Sequence, residues 1–366
     1  MSLDVLRGLT VALMILVNTA GDGSVSYTQL RHSVWNGCTL TDLVFPMFLF
    51  IVGASVALAL RSRLSCGVPH IVILRQVLQR SLLILLFGLL LNALPFFHLS
   101  DLRYFGVLQR IALCYALAAA VYLFGGIRAA AIVAVLTLLV YWYLLTRVSV
   151  PGFGVPGIDV PMLDPHGNLA AWLDRRLVAP AHLYHHSFYD PEGLLGTLPA
   201  LGTTLFGVLA GCWLQTLQSA NRKALGLAAA GIAFATTGLL WSHALPWNKR
   251  LWTSSYALWT AGISVLVLSL LFWLIDGPPK CRRGLTPWLA FGTNALTAYI
   301  FSEVVALILS IISVRGAGNL QRWLYQLLPQ RLGPPPLLSM LYSILFVAVC
   351  YLPVYILYRR RIFLKI

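Results

Sequence analysis

Long apolar stretches alternate with short polar ones along the whole 366-residue chain. They fall at about 3–20, 42–60, 81–97, 107–125, 129–146, 197–215, 224–243, 255–275, 288–312 and 337–358. Each approaches the roughly 20 residues that carry an α-helix across about 30 Å of hydrocarbon. The pattern predicts an all-α polytopic integral membrane helical bundle of about ten transmembrane helices, a single transmembrane domain over residues 1–366. Two external segments break the rhythm. Residues 21–41, GDGSVSYTQLRHSVWNGCTLT, are too few for a domain and must fold back onto the bundle mouth. Residues 147–196 combine Pro- and Gly-rich turns with a short amphipathic helix near 169–178, and a loop of that length is expected to work as a lid or substrate platform. Residues 315–336, with Trp323, Tyr325 and Pro334 to Pro336, predict an interfacial helix and then a stiff turn.

Composition narrows the class. Hydrophobic residues make up 59% of the chain, charged residues only 10%, and the mean hydropathy is +0.82, against the roughly 25% charged residues of soluble domains. Disordered, collagenous and disulfide-rich secreted classes are excluded with the soluble ones. The net charge of +15 does not imply nucleic acid, because the basic residues are parcelled out between apolar runs instead of forming one water-facing patch. Their distribution sets orientation instead. The two ends and the loops after even-numbered runs hold 15 of the 26 basic residues, including the clusters KCRR (280–283) and YRRRIFLKI (358–366). That side is expected to be cytoplasmic, with both termini on it. The opposite side holds nine of the 11 acids and seven of the eight histidines. No secretory leader is expected, and six scattered cysteines without a C-x-x-C pair predict free thiols.

Candidate chemistry concentrates at the outer mouth of the second run. RHSVWNGCTLTD places His32, Trp35, Asn36 and Asp42 there, and Asn18 ends the first run facing the same region. An imidazole is suited to general-base work because it titrates near the working pH, and a carboxylate such as Asp42 can orient it. A capping role for His32 in the turn is the plainer alternative. Charged or amide groups within spans are costly and face a bundle interior or a wet cavity. Here these are Arg7, Arg80, Arg110, Asn294 and Glu303. Arg7 and Arg80 are near the cytoplasmic ends, where a guanidinium can hold phosphate bidentately. Snorkelling or helix pairing is the alternative for each. HLYHH (182–186) brings three imidazoles together without a clear fourth ligand, so no metal site is expected.

LDVLRG, MILVNT, RHSVWNG, DLVFPMFLFIVG, FGVLQR, AHLYHH, YDPEGLLGTLPA, NKRLWTSSYAL, FGTNALTAY and the basic tail, in this order over nearly the whole chain, resemble the heparan-α-glucosaminide N-acetyltransferase family, in particular its bacterial, NagX-like members. The resemblance implies a multi-pass acetyltransferase of the bacterial inner membrane. It would take acetyl-CoA from the cytoplasm as co-substrate and N-acetylate a glucosamine-type sugar on the far side. Motif matching implies His32 as catalytic base and Asn18 as the active-site amide, with Asp42 in support. Arg7, Arg80, Arg110 and Asn294 are the expected contacts of acetyl-CoA, and Trp35, Asn36, Asp190 and Glu192 those of the sugar. The long loop departs from that of animal members, which favours a bacterial amino sugar over heparan. Membrane lipids and a homodimeric copy complete the expected partners. Two other readings stay open: a proton-coupled sugar transporter using Asp42, Arg110 and Glu303, and an O-acetyltransferase of an envelope glycan.

Overall fold

The computed structural model describes residues 1–278, 283–316 and 318–363. Most of the KCRR cluster and the end of the basic tail lie outside the described residues. Twelve α-helices are present among the described residues: α1 (Ser2–Asn18), α2 (Leu40–Ser65), α3 (His70–Ala93), α4 (Val107–Arg147), α5 (Leu169–Leu177), α6 (Thr197–Leu214), α7 (Ala220–Trp241), α8 (Ser254–Ile275), α9 (Thr286–Thr293), α10 (Ala295–Ile311), α11 (Leu320–Gln326) and α12 (Pro335–Arg359). A two-residue antiparallel hairpin, β1 (Ser313–Val314) with β2 (Gly318–Asn319), precedes α11.

Seven of the described helices are long and apolar enough to cross a membrane, and the bent pair α9–α10 adds an eighth span if it counts as one. The protein is therefore an all-helical, multi-pass membrane protein. Two of the expected runs lie in α4, whose 41 residues comprise two helices joined at a kink. At 1.5 Å per residue it would measure about 60 Å, twice the hydrocarbon thickness. Gly126 interrupts it with φ 64° and ψ −162°, outside the helical region, a conformation open to glycine because no Cβ obstructs it. The runs at 107–125 and 129–146 are its two arms. The run at 288–312 is also not a single rod: α9 and α10 meet at 85°, with Asn294 at the break in a non-helical conformation.

The described chain packs as two compact units, and α2 and α8 contribute to both. The first comprises residues 1–34, 38–48 and 270–366. In it α1 packs against α9, α10 and α12. Glycine brings the backbones together: a Cβ on Gly8 would lie 1.8 Å from the Trp288 carbonyl oxygen, and one on Gly292 would lie 1.9 Å from that of Asp4. Without a hydrophobic drive between helices in lipid, such close small-residue packing supplies the attraction.

The second unit comprises residues 35–37 and 49–269. There α6 packs on α4 and on the later part of α2. A Cβ on Gly207 would lie 1.9 Å from the Phe50 carbonyl oxygen. The Lys223 ammonium and the Arg61 guanidinium donate to the carbonyls of Leu214 (2.8 Å) and Gln215 (3.1 Å), so these basic residues cap the negative end of α6. The long loop folds over a core of Tyr141, Leu145, Leu163, Ala170, Leu245 and Leu251. Within it α5 forms where an amphipathic helix was expected, started by Asn168, whose side-chain oxygen accepts from the Ala171 N–H at 2.8 Å.

Candidate active site

The start of α2 fixes the first constellation. Thr39 precedes the helix and Asp42 lies in its first turn, a T-x-x-D spacing that lets the carboxylate reach back to the Thr39 N–H, as the acid of a capping box does. The Asp42 carboxylate accepts from the Thr39 N–H at 3.0 Å and from the Thr39 hydroxyl at 3.0 Å. The Ser33 N–H adds a third donor at 3.1 Å. All three share Oδ2. Oδ1 meets the Nδ1 of His32 at 2.8 Å. Asp42 is completely buried, whereas the His32 side chain is 44% exposed. A buried carboxylate accepting from Nδ1–H selects the tautomer in which Nε2 exchanges the proton, the arrangement of a general base and its orienting acid. The preceding loop is anchored so that His32 has a defined place. The Ser26 and Ser339 hydroxyls meet at 2.9 Å, and the Asp22 N–H donates to Ser339 Oγ at 3.1 Å. The hydroxyl and N–H of Ser24 hold the Asp22 carboxyl below the usual carboxylate range.

Asn18, the last residue of α1, belongs to the same unit and faces α10. Its Nδ2 donates to Glu303 Oε1 at 3.3 Å, and Tyr299, one turn earlier on α10, supplies a second donor to that carboxylate. Arg7 is occupied within the unit: its Nη1 donates to Asp4 Oδ1 and to the Gly292 carbonyl, both at 3.0 Å. It therefore caps the end of α9. Asn294 is buried at the bend between α9 and α10.

The second unit holds the remaining candidates. The Trp35 indole N–H donates to the Leu163 carbonyl at 2.7 Å, and its ring stands edge-on to Tyr189. Asn36 accepts from Asn248 at 3.2 Å. Both pin residues 35–37 to the core of this unit. Asp190 and Glu192 converge on Arg103: Nε and Nη2 reach both oxygens of Asp190 at 2.8 and 2.5 Å, and Nη2 reaches Glu192 at 2.6 Å. Burial pulls the Arg103 guanidinium down, but the two carboxylates outweigh it and leave its pKa raised. These acids hold the loop. Arg110 is buried with one bond, from Nη2 to the Gly193 carbonyl at 3.0 Å, and lies over the Trp252 ring. Burial pushes the nearby Asp174 carboxyl up to about 6, opposed by the Asp190 N–H and the charge of Arg110. Arg80 is half-buried and makes no ion pair among the described residues. In the histidine run, His182 is committed to the Leu102 carbonyl through Nδ1 at 2.7 Å and stacks on Tyr104.

Sequence reasoning singled out His32 and Asp42 but not Thr39, although the T-x-x-D spacing was visible. It overlooked Arg103 and Asp174, whose partners are 87 and 16 residues away, because only the folded loop joins them.

The family model described as heparan-α-glucosaminide N-acetyltransferase, catalytic, matches residues 1–247, which include His32, Asp42, Asn18 and the whole long loop. Two relatives carry the name heparan-α-glucosaminide N-acetyltransferase. The chain is 29% identical to the one from Mus musculus, over 99% of this chain and 60% of that protein. It is 28% identical to the one from Homo sapiens, over 83% of this chain and 52% of that protein. The chain thus spans between half and two thirds of these relatives' lengths. On the match to most of its length, the chain belongs to the heparan-α-glucosaminide N-acetyltransferase catalytic family.

Proposed function

We propose that this protein is a transmembrane N-acetyltransferase that uses cytoplasmic acetyl-CoA to acetylate the amine of a glucosamine-type sugar on the extracytoplasmic side. The observation that carries the chemistry is the His32–Asp42 pair, 2.8 Å apart, with the carboxylate buried and the imidazole open to solvent. Family membership supports the reaction class. The asymmetric spread of basic residues supports the direction. Ten crossings, with both termini inside, follow if α1 and each arm of α4 cross separately. We place the protein in a bacterial inner membrane, in keeping with its NagX-like motifs.

Acetyl-CoA supplies an acetyl group activated as a thioester. His32 Nε2 takes the proton that the sugar nitrogen sheds as the C–N bond forms. The same imidazolium returns it to the sulfur as the C–S bond breaks, so no net proton is held. Asp42 stabilises the transient positive charge and keeps Nδ1 as donor. Asn18 holds the acceptor sugar. Arg80 remains the better candidate of the two cytoplasmic arginines for the nucleotide phosphates, since Arg7 is engaged by Asp4 and α9. Asp190 and Glu192 tie down the long loop through Arg103, and Trp35 and Asn36 anchor residues 35–37. No metal is required by this route.

A second reading, a sugar transporter, draws on one observation: a span broken by 85° at Asn294, a feature of transporter binding sites. Purified protein in vesicles, given labelled acetyl-CoA on the tail-bearing side and glucosamine or its oligomers on the other, separates the readings. Label in an amide of the sugar supports the enzyme. Sugar flux without acetylation supports the transporter, and label in an ester supports O-acetylation.

A further inference from the structure

Glu303 is the chemically expensive residue of the first unit. It lies in the middle of α10, eight residues before the helix ends at Ile311, about 12 Å along the axis. A half-buried carboxylate in an otherwise apolar span costs free energy unless something compensates it. Its partners among the described residues are neutral: the Asn18 amide at 3.3 Å and the Tyr299 hydroxyl one turn away. It forms no ion pair with any described Lys, Arg or His. The buried acid Asp42 of the same unit is treated differently, with His32 and three further donors.

The proposed acceptor completes this picture, and the inference rests on that reading of the function. A free amino sugar carries a primary ammonium at neutral pH, and no other described acid in this unit combines a place inside a span with contact to Asn18. We infer that Glu303 is the anionic subsite that receives the ammonium of the acceptor sugar, and thereby selects amines over hydroxyls. The carboxylate also sets Asn18. An ionised carboxylate only accepts, so the Asn18 amide must turn its NH2 toward Glu303, and its Oδ1 edge is directed elsewhere as an acceptor. A carboxylate and an amide oxygen side by side suit a cation with several N–H donors and offer little to a thioester oxygen. Glu303 takes one ammonium proton before attack, becoming the neutral acid, and releases it to solvent. The second proton, shed as the C–N bond forms, goes to His32.

Glu303→Gln removes the charge and the proton acceptor together while its carbonyl can still accept from Asn18, so turnover should fall along with affinity for the amine. Expected are a rise of roughly 10- to 100-fold in KM for glucosamine, the range of one lost charge-assisted hydrogen bond, an unchanged KM for acetyl-CoA, and unchanged competitive inhibition by glucose, which has a hydroxyl in place of the amine. Glu303→Asp, which keeps the charge on a shorter arm, should recover part of the loss. Equal weakening of glucosamine and glucose, or no change in either, overturns the ammonium subsite. Unaltered acetyl-CoA and glucose affinity also reports that the variant is folded. Should wild-type protein fail to acetylate glucosamine at all, the proposed function falls; an active wild type with an indifferent Glu303→Gln variant removes only this inference.

Discussion

Asp42→Asn should separate catalysis from architecture at the proposed base, because the two oxygens of Asp42 do different work. Oδ2 collects two backbone N–H donors and a hydroxyl, whereas Oδ1 faces His32 Nδ1 at 2.8 Å. An Asn side chain has one accepting oxygen, and the side with three donors will claim it. Its NH2 then faces the imidazole. To avoid two donors meeting, His32 must switch tautomer, so that Nδ1 accepts and Nε2 carries the proton. The base is lost although every heavy atom stays in place. Turnover should fall about 10²- to 10⁴-fold. Stability should fall by only about 1–3 kcal/mol, the range for one buried acceptor bond to a charged group, since the helix cap survives. Acetyl-CoA affinity should not change. Initial rates with labelled acetyl-CoA, thermal melting in detergent and equilibrium binding of acetyl-CoA measure the three quantities on one preparation. Turnover within threefold of wild type, with the loss of stability present, would refute the dyad and leave Asp42 as a cap. A parallel loss of nucleotide binding would point to collapse of the mouth.

Other outcomes follow from the same geometry. His32→Ala should lose about 10²- to 10⁴-fold in turnover with near-normal acetyl-CoA binding; an equal loss of melting temperature and ligand binding would assign His32 to loop anchoring. Asp174 gives a pH dependence of stability. Burial raises its carboxyl to about 6, so its protonated form favours the fold, and this contribution is complete below the unfolded value near 3.8 and lost as pH rises through about 6. The loss amounts to about 3 kcal/mol, so Asp174→Asn should melt progressively higher than wild type from pH 4 to pH 7, and a gap that does not change with pH would contradict it. A cysteine placed at Ser187 should react with an impermeant thiol reagent from outside intact cells and one at Ser219 should not, with the reverse pattern inverting the direction of acetyl transfer.

The membrane bundle was legible because hydropathy integrates over a whole span, and each expected run coincides with helix. What it could not register was backbone direction. Gly126 lies between two runs and was readable as a boundary, and its φ of 64° kinks the chain there, a change of direction that hydropathy does not carry. The bend at Asn294 left no such mark, because FGTNALTAY is apolar enough on both sides to continue a straight span. The two packing units were equally silent. Their division depends on which helices touch, and in lipid those contacts are made by glycine backbones such as Gly8 on Trp288; a G-x-x-x-G spacing such as Gly207 and Gly211 marks a contact face but does not name the helix it meets.

The site was legible in proportion to how local its contacts are. His32 and Asp42 are ten residues apart and Thr39 lies between them, so one short segment contains base, orienting acid and cap. Arg7, by contrast, was expected to face a phosphate from its position at a span end, and the Gly292 carbonyl that occupies it comes from 285 residues away. Asp190 and Glu192 were expected at the sugar for the same reason, and a distant arginine holds both. Sequence therefore locates charge but does not say what already neutralises it. Compensated charges such as Arg103 with its two carboxylates hold the fold together, and changing one partner should chiefly cost stability. Glu303 has only neutral partners among the described residues, and in the proposed reaction the acceptor's ammonium supplies the missing charge, so its replacement should be felt first in substrate affinity.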